Sequence, residues 1–133
     1  MVTPFRKRVN EVTKGQIEAQ IGEAMIKFEK EYMGRGPMET KTYIIRDMNL
    51  VRLKGVLTPA EQQLAKTSEG AALIKKIRAR LLEEARYLLE NIIESITDCR
   101  VKSLHSDIST KSGERMITFT LDQDLEERFK GSM

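Results

Sequence analysis

The sequence predicts an α+β domain: a four-stranded antiparallel sheet with helices packed on one face. Two observations point there. The order helix, strand, strand occurs twice in one short chain. The strand segments are rich in β-branched residues and alternate apolar with polar, as half-buried strands do. A duplicated helix–hairpin unit accounts for residues 13–121 as a single domain. Residues 1–12 read as a basic flexible arm, and residues 122–133 as a short C-terminal tail.

The first helix opens at Thr13-Lys14-Gly15-Gln16, a capping box in which Thr13 and Gln16 satisfy each other's backbone amides. Ile17, Ile21, Ala24, Met25, Phe28 and Tyr32 follow at helical spacing and form one apolar stripe. Gly34 suits a left-handed C-terminal cap, and Pro37 prevents continuation.

Residues 41–46 and 50–57 read as the first hairpin, with Asp47-Met48-Asn49 between them. That connection lacks Gly, so turn chemistry alone leaves its register open. Thr58-Pro59-Ala60-Glu61 then starts a short helix: Thr58 as N-cap, Pro59 at the first helical position, Glu61 reaching back. Thr67-Ser68-Glu69-Gly70 interrupts it and begins one long helix. Ile74, Ile77, Leu81, Leu82, Ala85, Leu88, Leu89, Ile92, Ile93 and Ile96 give that helix a wide apolar face. The face is wider than one small sheet covers, and a homodimer is expected.

Residues 99–109 and 114–121 read as the second hairpin, turning at Thr110-Lys111-Ser112-Gly113. Pairing Ser109 with Glu114 puts Leu104 and Ile108 on one face with Ile117, Phe119 and Leu121. His105, Asp107, Met116, Thr118 and Thr120 fall on the other.

Composition narrows the function classes. Hydrophobic content of 40% and charged content of 32% describe a globular chain. Trp is absent, so the core is aliphatic. The formal net charge is +3 with both signs interleaved, and few aromatics are available to stack on bases. A nucleic-acid partner is therefore not expected. A single cysteine, Cys99, makes no internal disulfide and supplies no metal cluster; it reads as a small buried hydrophobe. Arg6, Lys7 and Arg8 have no apolar run behind them, so no signal peptide is expected. No stretch approaches the ~20 apolar residues of a membrane span. These features suggest a cytoplasmic chain with no direct membrane insertion, no metal and no cofactor.

Three segments carry a resemblance: EKEYMGRGP at 29–37, TYIIRDMNLVRLKGVLTPAE at 42–61, and SLHSDISTKSGERMITFTL at 103–121. They resemble the MpsC-like family of small bacterial proteins, named for a sodium-translocating, membrane-potential-generating system. The resemblance spans residues 13–121. It implies a membrane transport protein as partner and a position peripheral to the inner face of the membrane. It implies no catalytic residue.

Among polar residues, Tyr43, Arg52, His105 and Asp107 are the candidates for a ligand or partner site. His105 and Asp107 share a strand face, while Ser106 points the other way, so alternation argues against a local Ser-His-Asp triad. Tyr43 and Arg52 are expected to lie across the first hairpin on the same open face. A solvated surface pair at His105 and Asp107, and ordinary cross-strand contacts at Tyr43 and Arg52, are the favoured readings of these residues. Gly34-Arg35-Gly36-Pro37 follows a helix and lacks the lysine and hydroxyl of a phosphate-binding loop, so it reads as a helix stop. The leading expectation is a non-enzymatic accessory or interaction protein of a membrane ion or bicarbonate transport system, the system itself being implied by the resemblance. The alternative is a small-anion-binding regulatory domain using the open sheet face. A third reading is a small hydrolase using His105 and Asp107.

Overall fold

The structure, a computed structural model, describes residues 12–131. Of the basic arm expected over residues 1–12, residues 1–11 lie outside the described residues, and Val12 is buried in the core. Helix α1 (Lys14–Tyr32) forms behind the expected capping box: Gln16 N donates to Thr13 Oγ1 at 3.1 Å, and Thr13 N donates to Gln16 Oε1 at 2.9 Å. Ile17, Ile21, Met25 and Phe28 are buried along its stripe, and Tyr32 stacks on Phe28. Gly34, at φ 92°, turns the chain out of the helix.

Strands β1 (Glu39–Ile45) and β2 (Met48–Lys54) pair with Ile45 opposite Met48. The turn is therefore Arg46-Asp47, not the three residues that the sequence suggested. Arg46 adopts φ 57° without being glycine. Tertiary contacts hold it there: Glu126 N donates to Arg46 O, Arg46 N donates to Glu126 Oε1, and Leu121 N donates to Asp47 O.

Helix α2 (Pro59–Leu64) is short and capped by Thr58 and Glu61 as expected. The expected long helix is two, α3 (Ser68–Glu84) and α4 (Arg86–Thr97). At the junction, Ala85 N is shared between the carbonyls of Leu81 and Leu82, each 3.1 Å away. That bifurcated bond tightens the turn and bends the rod without a proline or glycine.

Strands β3 (Val101–Ser109) and β4 (Glu114–Leu121) pair in the expected register, Ser109 opposite Glu114. The sheet order is β1-β2-β4-β3, antiparallel throughout, so the two hairpins meet along β2 and β4. Helix α5 (Leu125–Gly131) returns to the sheet: Leu125 is buried and Phe129 packs against the core.

The core lies between the helices and one face of the sheet. Ile44, Val51, Leu53, Leu104, Ile108, Ile117, Phe119 and Leu121 supply it from the strands. Ile74, Leu82, Leu89 and Ile93 join the α1 residues from above. Among the described residues no helix covers the opposite face, and Leu73, Ile77, Tyr87 and Leu88 are exposed on α3 and α4.

Candidate functional site

The register places the four sequence-predicted residues on the open face. Tyr43, Leu50, Thr118 and His105 form one row across β1, β2, β4 and β3. Lys41, Arg52, Met116 and Asp107 form the next. Tyr43 and His105 therefore stand on opposite edge strands, roughly 14 Å apart at about 4.8 Å per strand. Tyr43 lies opposite Leu50, and Arg52 opposite Lys41, so the two are diagonal neighbours rather than a facing pair. The four share a face but do not converge on one pocket.

Their partners are local. Arg52 Nε donates to Glu114 Oε2 at 2.6 Å across the sheet. Asp107 accepts from Ile108 N at 2.8 Å and pairs with Lys75 Nζ of α3 at 3.3 Å. The backbone bond, followed by Lys75, holds its carboxyl below the ordinary carboxylate value. Between these charges the face is apolar or neutral: Tyr43 and Ile45 are 43% and 42% exposed, and Met48 is exposed beside them.

A second polar centre lies on the other side of the sheet, and sequence reasoning missed it. Glu29, Arg78 and Arg115 are buried, at 0%, 2% and 2% exposure. Arg78 of α3 donates Nε to Glu61 Oε2 and Nη2 to Glu61 Oε1, both at 2.8 Å. It also donates Nη1 to Glu29 Oε1 at 3.1 Å and Nη2 to Val56 O at 3.0 Å. Arg115 of β4 approaches the same carboxylate from the sheet, Nε to Glu29 Oε2 at 3.6 Å. That is an ion pair beyond hydrogen-bond length. Burial pushes the Glu29 carboxyl up, against the pull of Arg115 and Arg78. Burial likewise pushes Arg115 down.

The signal for this centre was present in the pattern. Glu29 sits four residues after Met25, on the apolar stripe of α1. Arg78 sits between Ile74 and Leu82 at helical spacing. Arg115 is in phase with Ile117, Phe119 and Leu121. Each is a charge at a core position, and the signs complement.

A cleft of about 270 Å³ opens beside this cluster, between α3 and β3. Arg78 and Arg115 line it, with Lys75, Ser106, Leu82 and Leu104. Ser106 belongs to the helix-facing side of β3, opposite Ile117, but is exposed there. Cys99 is buried elsewhere and accepts from Arg128 Nη2 at 3.4 Å; burial pushes its thiol up. Among the described residues, no group of three or more His, Cys, Asp or Glu side chains could hold a metal ion.

Residues 13–123 match the family model described as the Na+-translocating membrane potential-generating system (MpsC). The chain belongs to the MpsC family. This MpsC-family chain is 44% identical to the uncharacterized protein YbcI of Bacillus subtilis over 118 residues, which cover 89% of the chain and 95% of YbcI. It is 27% identical to the uncharacterized protein YrhF of the same organism over 104 residues, covering 77% of the chain and 84% of YrhF. No solved structure matches it. Among the described residues, no helix is long and apolar enough to cross a membrane.

Proposed function

We propose that this chain is a non-catalytic interaction subunit of a membrane-potential-generating system, and that it meets a membrane transport protein through the open face of its sheet. The observation that carries this reading is the uncovered patch of Tyr43, Ile45 and Met48, continued by half-buried Leu50, Met116, Thr118 and Thr120. Monomeric proteins rarely leave a broad apolar patch exposed without a use for it. The patch is rimmed by charged pairs, Arg52–Glu114 and Lys54–Glu39, the apolar-centre and polar-rim pattern of interfaces. The family description supplies the kind of system. His105 and Asp107 serve as rim contacts in this reading, not as catalysts.

Self-association uses a separate surface in the same reading. Leu73, Ile77 and Leu88 make an exposed apolar stripe on α3 and α4, suited to a second copy of the chain. Two charge-bearing variants separate the surfaces. Ile45→Lys abolishes capture of the transport protein from membrane extracts and leaves mass by light scattering unchanged. Ile77→Lys turns a dimer into a monomer and leaves capture intact. Capture that survives Ile45→Lys sinks the assignment of the open face.

A further inference from the structure

We propose that the cleft between α3 and β3 binds a small organic oxyanion, with a carboxylate or phosphate head on Arg115 and a short apolar tail against Leu82, Leu104 and Ile108. This site opens at the β3 edge of the sheet, where His105 and Asp107 border both it and the proposed docking face, and it goes beyond that role.

The argument starts from an unequal division of hydrogen bonds. Arg78 uses four of its five N–H donors, in bonds to Glu61, Glu29 and the Val56 carbonyl. Arg115 is as deeply buried, yet its Nε and Nη1 have no hydrogen-bond partner. Its nearest carboxylate oxygen, Glu29 Oε2, is itself without a hydrogen bond at 3.6 Å. A buried guanidinium left in this state carries a desolvation cost that bonding would relieve. Guanidinium is also the group best shaped to grip a carboxylate or phosphate with two parallel bonds.

The cleft borders the Arg115 side chain, whose Nε and Nη1 are closed off from solvent. Its lining charges are sorted by depth. Arg78 and Arg115 are the buried ones; Glu83 and Asp107 are exposed and already paired with Arg86 and Lys75. Lys75 adds a cation beside Asp107 at the mouth, and Ser106 offers a hydroxyl on the helix-facing side of β3. The remaining lining residues are Ala79, Leu82, Leu104 and Ile108, with His105 of β3 beside them. Leu82, Leu104 and Ile108 belong to the core and are each 5% exposed, so they offer the cleft only a narrow apolar edge. A short aliphatic tail covers that edge.

The test is titration calorimetry of the full chain with sodium butyrate and with mono-butyl phosphate, against sodium chloride at equal ionic strength. The expected result is saturable heat from at least one of the two organic anions, the tighter one naming the head group. Ser106→Phe fills the cleft from β3 and leaves Arg115 in place; it is expected to weaken binding at least tenfold while the melting curve stays cooperative. Lys75→Ala, at an exposed position, is expected to weaken it less. Absence of saturable binding for both anions at millimolar concentration overturns the proposal. So does equal heat from sodium chloride, or Ser106→Phe that binds as the wild type does.

Discussion

Arg78 and Glu61 form a two-pronged ion pair, guanidinium to carboxylate, with both bonds at 2.8 Å. The same carboxylate closes the cap of α2, because Glu61 Oε1 also accepts from Thr58 N at 2.9 Å. One side chain thus joins the start of α2 to the middle of α3, and Arg78 passes the link on to Glu29 of α1.

Replacing Arg78 with alanine is expected to cost about 3–5 kcal/mol, because it strands the buried Glu29 carboxylate without its hydrogen bond. Urea denaturation would measure it. A loss below about 1 kcal/mol would show that the cluster relaxes into water instead.

Acid stability should depend on Glu61. Burial works to raise its carboxyl, but the bonds from Arg78 and Thr58 outweigh burial and hold it below 4.5. A carboxyl depressed in the folded state contributes stability above its unfolded value. That contribution is lost as pH falls through the folded value. Melting curves taken downward from neutral pH should therefore decline more steeply for wild type than for Glu61→Gln. Parallel declines would show that the pair does not drive the acid transition.

Thr58→Ala should cost about 1 kcal/mol, the usual worth of an N-cap hydroxyl. Here that hydroxyl accepts from Glu61 N at 3.2 Å. An unchanged denaturation midpoint would count against the cap.

Gly70→Ala is expected to destabilise by at least about 2 kcal/mol, since backbone has to move to relieve the overlap. A Cβ there would stand 1.8 Å from the carbonyl oxygen of Leu64. The intervening residues 65–67 fold tightly enough that only glycine fits. Wild-type stability in the alanine variant would mean the α2–α3 connection is looser than described.

Asp98→Gly should stabilise, by about 0.5–1 kcal/mol. Asp98 ends α4 in the left-handed conformation, φ 57° and ψ 34°, where glycine carries no Cβ penalty. Its negative charge also sits at the negative end of the helix dipole. A lower midpoint for the glycine variant would reveal an unrecognised contact of the Asp98 side chain.

Much of the fold was legible because local chemistry and global pattern agreed. Thr13–Gln16 and Thr58–Glu61 announced two helix starts, and alternation from Glu114 to Leu121 set the register of the second hairpin. The first turn was misplaced because Arg46 carries a positive φ that no local rule assigns to arginine; α5 imposes it from a distance. The bend at Ala85 was invisible for a related reason: it is a sharing of hydrogen bonds, without a helix-breaking residue. At the candidate sites, strand alternation placed Tyr43, Arg52, His105 and Asp107 on one face but carried no cross-sheet distances. Glu29, Arg78 and Arg115 were passed over because each looked like an isolated interruption of an apolar pattern. Only the tertiary fold brings the three interruptions together.

The bond from Arg46 to Glu126 spans eighty positions of sequence. As the chain is synthesised, the first hairpin leaves the ribosome long before the helix that steadies its turn exists. The inner strand β2 likewise waits for β4, its second neighbour. The early half of the protein is thus exposed, with an unsupported turn and an unpaired strand edge, until the final segment arrives. Such non-local closure slows folding. A nascent chain stalled before residue 114 would present that edge to any strand nearby, and a shielding chaperone would find its work there.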